Sequence, residues 1–286
     1  MLGSNACANA RACQNGRIAT FFLVWIVQCL HALVRSAWRP DLARESAFLT
    51  SAWKHLLAFS WEVDADALGD RVPRGVELDR FEGRVLVSLV GFLFLRTRVL
   101  GIPLPFLQRF EEVNLRFYVR RQGPEGWRHG VVFVKEIVPR WPIAAGARWL
   151  FNEPYCTMPM RHRGDLVQGE PEPGGVLSYE WKTGGRWQRL SARVGPLVGP
   201  AAPGSSQEFV VERYWGYTRQ RNGGTVEYRV SHPSWRLWAA HEPAIDIDLT
   251  GLYGPRLAPY LAGPPWSAVI ADGSPVTVSR GARVAD

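Results

Sequence analysis

Lysine is nearly absent from this chain. Of its 34 basic residues only Lys54, Lys135 and Lys182 are lysines, and the rest are arginines. Chemistry that needs a primary amine is therefore confined to three side chains. Cysteine is almost as scarce: Cys7, Cys13 and Cys29 lie near the N-terminus, leaving Cys156 alone in the body. A lone cysteine excludes an intradomain disulfide there, and no CxxC or Cys/His spacing points to zinc. This usage fits a reducing, cytoplasmic setting. His162, His232 and His241 are far apart and form no HxH, HExxH or facial-triad spacing, so no metal and no other cofactor is expected.

Two further absences narrow the class. The formal charge is +8, yet there is no Lys/Arg-rich run. Basic residues are scattered among strand-like segments, which argues against nucleic acid as a partner. A long apolar run is also missing. The most apolar stretch, Ile18 to Val34, has 17 residues and contains Gln28 and His31, whereas a membrane span needs about 20. Two readings stand: a membrane anchor or signal segment, and a helix that packs on the body or has no function. Residues 1–49 are accordingly expected to be an N-terminal extension with an apolar helix at 18–34 and a linker. Residues 50–286 are expected to form a single domain.

What is present is a globular composition, 47% hydrophobic and 21% charged, with 21 prolines and 28 glycines that favour turns and strands over a helical bundle. From Thr50 short strands are expected at close spacing. Asp64-Ala-Asp66-Ala-Leu68 reads as a helical turn capped by Asp64. Val76–Phe81 and Arg84–Leu95 read as a hairpin turning at Glu82-Gly83, its second arm buried on both faces. Gly101 to Pro105 reads as a crossing loop. Val113–Arg121 and Val131–Val138 form the next pair, and Ile143–Phe151 suits a helix entered at Pro142. Tyr179–Lys182 and Trp187–Val194 form a hairpin, Gly195–Ser206 a loop, and Glu208–Thr218 a helical or irregular piece. Thr225–Ser231 is a strand, Trp235–Ala240 a Trp-rich arm, and Asp272-Gly273-Ser274-Pro275 a turn between two last strands. The lack of βαβ alternation implies a mainly β fold, a curved antiparallel sheet or barrel with a few short helices.

Polar residues inside apolar strands single out Phe110 to Met160. On a strand Glu112, Asn114 and Arg116 share one face, and with Arg140 or Arg148 they would make a buried acid–base network, structural or catalytic. Lys135 and Glu136 are adjacent in VVFVKEIV, so strand alternation sends them to opposite faces. An inward Lys135 would be a desolvated, reactive amine. Tyr155, Cys156 and Arg148 put a phenol, a thiol and a cation near a helix end. A buried, inert cysteine is the plain reading of Cys156.

Several motifs, in order, resemble the YqjF-like family of uncharacterised bacterial proteins. They are Gly83–Pro105 (GRVLVSLVGFLFLRTRVLGIPLP), Phe110–Arg120 (FEEVNLRFYVR), Gly130–Arg140 (GVVFVKEIVPR) and Ala147–Tyr155 (ARWLFNEPY). Glu212–Thr218, Glu227–Trp235 and Asp272–Val278 continue the series, so the likeness spans roughly Thr50 to Arg283. That family is placed beside acetoacetate decarboxylase, which implies a β-barrel around an apolar cavity. In the decarboxylase an Arg-Glu element leads to Pro-Lys-Lys, whose first lysine forms a Schiff base. Here Ala147-Arg148 is similar to the first element and Pro154 to the proline, so Tyr155-Cys156 stands where the lysines would be. A phenol forms no imine.

The expectation is therefore a protein that binds a small apolar or carbonyl- or carboxylate-bearing molecule in a barrel cavity without a Schiff-base lysine. Arg116, Asn114, Lys135, Arg140, Arg148 and Cys156 would line the cavity. A second reading is an enzyme, of lyase or hydrolase type, on an oxo-acid-like substrate, with Glu112 and Tyr155 as acid and base beside Arg148. A third is an accessory protein tethered to a membrane through Ile18–Val34.

Overall fold

Strands dominate the computed structural model, which describes residues 47–284 apart from 104–106, 151, 165, 168 and 169. In chain order they are β1 (Ala47–Val63), β2 (Glu77–Leu78), β3 (Val85–Val99), β4 (Ile102–Pro103), β5 (Arg109–Gly123), β6 (Gly126–Val138), β7 (Tyr155–Thr157), β8 (Met160–Gly164) and β9 (Leu166–Val167). Then follow β10 (Glu170–Pro171), β11 (Val176–Thr183), β12 (Arg186–Pro200), β13 (Trp215–Arg219), β14 (Thr225–Ser231), β15 (Arg236–Asp246), β16 (Ser267–Ser279) and β17 (Ala282–Arg283). Short helices intervene: α1 (Ala65–Leu68), α2 (Trp141–Leu150), α3 (Ser206–Val211), α4 (Leu249–Tyr253) and α5 (Ala258–Leu261). The segment Ile18 to Val34 lies outside the described residues. Among the described residues no helix is long and apolar enough to cross a membrane.

The main sheet runs β14-β13-β6-β5-β3-β1-β16, and β14 pairs again with β16 through Val230–Val278 and Ser231–Thr277. That last pairing closes seven strands into a ring. Beyond β16 the sheet continues through β15, β12 and β11 to β8, and returns to lie against β1, β3 and β5. Side chains alternate across each strand, so the shared strands are buried twice. This explains why Val85 to Phe94 is buried at every position and reads as one continuous apolar run. The inner face of the ring carries Leu56, Ala58, Val90, Phe92, Phe94, Phe110 and Tyr118, with Val210 and Val211 of α3 packed among them. The outer face carries Leu57, Phe59, Leu89, Leu115 and Phe117 against Tyr179, Trp181 and Leu190 of the returning strands.

Several expectations hold. β5 and β6 pair antiparallel across a tight turn between Gly123 and Gly126. The Tyr179–Val194 hairpin, the helix behind Pro142 and the strand Thr225–Ser231 are all present. The strands are longer than expected, because apolar stretches of both faces merge into single elements of 13 to 17 residues.

Others are corrected. Glu82 and Gly83 do make the tight turn, both at positive φ, but only Phe81 and Arg84 bridge it. The arm before it, β2, pairs with β5 at Glu77–Arg120 and Leu78–Val119. Asp64 starts α1 without a side-chain cap; its carboxylate accepts from the Tyr260 hydroxyl, 2.5 Å away. Ile102 and Pro103 of the expected crossing loop fold back on β3. Gly195 to Pro200 belongs to β12 and pairs with β15 through two register shifts, between Val194 and Leu197 and between Leu197 and Gly199, since glycine and proline are compatible with strands at bulges. Trp215 to Arg219 is a strand, not a helical or irregular continuation of α3.

The expected turn at Asp272–Pro275 is instead the middle of β16, with Gly273 at φ +76°. A Cβ there would sit 2.1 Å from the Trp53 carbonyl oxygen. The glycine serves a close strand crossing, and its local chemistry is the same as that of a turn.

Candidate functional site

The ring interior collects a polar group that the sequence distributes over 117 positions, from Glu112 to Tyr228. On β5, Glu112 and Asn114 are each 2% exposed, and Asn114 Nδ2 donates to Glu112 Oε1 at 3.0 Å. Asn114 lies opposite Glu136 of β6, which is also 2% exposed. Glu136 in turn is the parallel partner of Tyr155 in β7, so all three point the same way. The Tyr155 hydroxyl donates to Glu112 Oε2 at 2.9 Å. Glu153, buried at the turn after α2, accepts from the Tyr228 hydroxyl at 3.0 Å. Its carboxyl also meets Thr218 of β13.

Three buried carboxyls in one apolar ring cannot all ionise. Burial pushes Glu112 up to about 7, against the hydrogen bonds from Asn114 and Tyr155 and the charge of Arg116, which favour its anion. Burial likewise pushes Glu153 up to about 8, with Tyr228 and Thr218 opposing and Glu112 adding to the rise. Glu136 is raised well above the usual carboxylate range by burial first, then by the charges of Glu153 and Glu112. The Tyr155 and Tyr228 phenols are pushed up by burial and by the same carboxylates. Near neutral pH the group therefore offers both carboxyl and phenol O–H donors and at most a partial negative charge. Such a set can donate to a carbonyl oxygen or exchange a proton with a ligand.

Arg116 shares the inner face. Its Nη2 donates to the Val210 carbonyl of α3 at 3.1 Å, and its guanidinium lies 5.9 Å from the Tyr118 ring centre. Four buried polar atoms on this face have no hydrogen-bond partner among the described residues: Trp53 Nε1, Asn114 Oδ1, Arg116 Nε and Glu136 Oε2. Each costs about 1–3 kcal/mol if left unpaired in an apolar setting, so their clustering marks a surface built to meet polar groups of something else.

The other expected site residues fall elsewhere. Lys135 is opposite Leu115, on the outer face, half-buried and directed away from Glu136. Cys156 is beside Ile137 on that same face. Burial pushes its thiol up, only partly offset by Lys135 and Arg148, which leaves it protonated and unreactive. Arg140 and Arg148 are exposed and take no part in the buried network expected of them. The structure thus joins Glu112, Asn114, Arg116 and Tyr155 and separates them from Lys135, Arg140, Arg148 and Cys156. It adds Glu136, Glu153, Tyr228 and Trp53. The signal for Glu136 was its alternation with Lys135. For Glu153 it was the step from a helix into a strand, where Asn152 takes a left-handed φ of 57° and turns the next side chain inward.

Residues 50–275 match the DUF2071 family of uncharacterized conserved proteins. The chain belongs to this family. Uncharacterized protein YqjF of Bacillus subtilis strain 168 is 28% identical over 210 residues, covering 72% of this chain and 81% of that protein. An acetoacetate decarboxylase-like enzyme from Sphingomonas wittichii RW1 superposes with a TM-score of 0.57 at 15% identity, covering 84% of this chain and 94% of its own. The enduracididine biosynthesis enzyme MppR, solved with pyruvate, superposes with a TM-score of 0.59 at 14% identity, covering 86% and 94%. The DUF2071 chain therefore has the acetoacetate decarboxylase-like fold, as the sequence implied.

Proposed function

We propose that this DUF2071 protein binds a small molecule with an apolar body and a carbonyl or carboxylate group inside the ring, without forming a Schiff base. The observation that carries this reading is the set of four buried polar atoms on one inner face that find no partner among the described residues. Arg116 supplies the cation for a carboxylate, Trp53 and the protonated glutamates supply N–H and O–H donors, and Phe92, Phe94 and Phe110 supply the apolar wall. A pyruvate complex of MppR, a protein of the same fold, supports this ligand class. Lys135 faces the other side of the sheet, which supports a reversible, non-covalent mode.

An enzymatic role for the same group is favoured by one specific feature. Glu112 is held at about 7, where a carboxyl both gives and takes a proton near neutral pH, and Tyr155 is bonded to it. On this reading the pair moves a proton on an oxo-acid-like substrate, with Arg116 in the charge-binding role first expected of Arg148.

Titration of the purified chain with pyruvate and acetoacetate, followed by calorimetry, tests the binding. Saturable binding that weakens about tenfold or more in Arg116→Gln is expected, as for a lost charge-assisted bond. Absence of binding to either acid, with no small molecule retained by the purified protein in mass spectrometry, removes the reading. Borohydride treatment in the presence of either acid is expected to leave Lys54, Lys135 and Lys182 unmodified; an adduct on Lys135 would overturn the non-covalent mode.

A further inference from the structure

Apart from the interior polar group, a cleft opens at the surface and holds about 230 Å³. Three arginines line it, Arg148 from the end of α2, Arg221 from the β13–β14 turn and Arg283 from β17, together with Asn152 and Val226. Among the described residues lining it none is acidic. Three guanidinium groups around one small space repel one another unless an anion sits between them. Two features hold the geometry. Val226 and Arg283 are paired across β14 and β17. Arg221 Nε donates to Asn152 Oδ1 at 3.2 Å, while Asn152 Nδ2 donates to the Arg219 carbonyl at 2.8 Å. The cavity is smaller than the ~300–1,000 Å³ of sites for drug-sized ligands. It suits a compact, multiply charged group.

We propose that this cleft is an anion site that takes a phosphate or polycarboxylate group through Arg148, Arg221 and Arg283. Planar guanidinium forks bind such oxyanions in pairs of parallel hydrogen bonds. The cleft adjoins the ring interior: Asn152 is followed directly by the buried Glu153, and Val226 shares its face of β14 with Tyr228. Its charged end would therefore be held at the ring end, next to the Glu153–Tyr228 pair. The assignment stands without any ligand in the interior.

Calorimetric titration of the full chain at low salt, with inorganic phosphate and in a second series with citrate, tests it. Saturable binding of at least one anion is expected. It should weaken about tenfold or more in the double variant Arg148→Gln/Arg283→Gln and stay unchanged in Arg189→Gln, an exposed arginine on β12. The tighter of the two anions identifies the group as phosphoryl or carboxylate. No saturable binding of either anion overturns the proposal, and so does equal binding by the double variant with an unchanged thermal transition. Tyr155→Phe, which alters the interior, is expected to leave anion binding intact, so this site and the interior site can fail independently.

Discussion

Tyr155 is the residue on which the chemistry turns. Its hydroxyl is donated to a carboxylate oxygen, and burial holds the phenol protonated. In Tyr155→Phe, Glu112 loses one of its two hydrogen-bond donors while remaining buried. Its ionised form is then less favoured, and the carboxyl is expected to titrate above about 7. Carbon-13 NMR of labelled glutamate checks this, and an unchanged midpoint would show that the bond has no energetic weight. The variant should also lose about 1–3 kcal/mol of stability, the cost of leaving one buried partner unsatisfied. Glu112→Gln keeps the shape and removes the proton exchange, so it should retain ligand binding and abolish any turnover. These expectations rest on a phenol that sequence comparison alone places only where a relative's lysine would be.

At the scale of one element, β13 fixes the opposite half of the polar group. Gly216 lies directly across from Tyr228, and a Cβ on it would come within 2.2 Å of the phenol ring. The glycine therefore makes room for the ring that donates to Glu153. Gly216→Ala is expected to push Tyr228 away from Glu153 and to destabilise the protein by about 1–3 kcal/mol, as overpacked interiors do. The midpoint of urea unfolding measures this. Gly83→Ala offers a control of a different kind, since no atom lies within 4 Å of its Cβ position and only its φ of 83° resists substitution. A Gly216→Ala variant as stable as the parent would mean that Tyr228 can move freely, and Glu153 would lose its assigned donor.

For the whole molecule, the three interior carboxyls set how stability depends on pH. In the unfolded chain they titrate near 4.5; in the folded chain burial moves Glu112 and Glu153 up to about 7 and about 8 and raises Glu136 well above the usual carboxylate range. Between these values the native state keeps protons that the unfolded state has released, so stability falls as pH rises. Each retained proton contributes a slope of about 1.4 kcal/mol per pH unit. Asp79 acts in the opposite sense. His129 and Arg213 hold it below its usual value, so its contribution is lost as pH falls below about 4. Thermal unfolding followed from pH 4 to 9 should show a maximum near pH 5 and a decline toward pH 8. In Glu112→Gln/Glu136→Gln the decline should flatten. A wild-type curve that is level from pH 5 to 8 would mean that these carboxyls ionise freely in the folded protein.

The sequence by itself determined the fold class, the family, and the inward face of β5. Strand alternation is local, so Glu112, Asn114 and Arg116 could be assigned to one side, and Lys135 and Glu136 to opposite sides, without any coordinates. It could not decide which of the last two enters the ring, because that depends on which face of the sheet containing β5, β6, β7 and β13 turns inward. Nor could it separate Gly273 in a strand from a glycine in a turn, since both conformations need the same freedom at φ. Glu153 and Tyr228 were invisible as a pair for a similar reason: they lie 75 positions apart and meet because β7 and β13 both pair with β6 and β14 pairs with β13. Local residue pattern fixes faces and element types; the pairing of strands distant in sequence decides which buried charges become neighbours, and so which residues make a site.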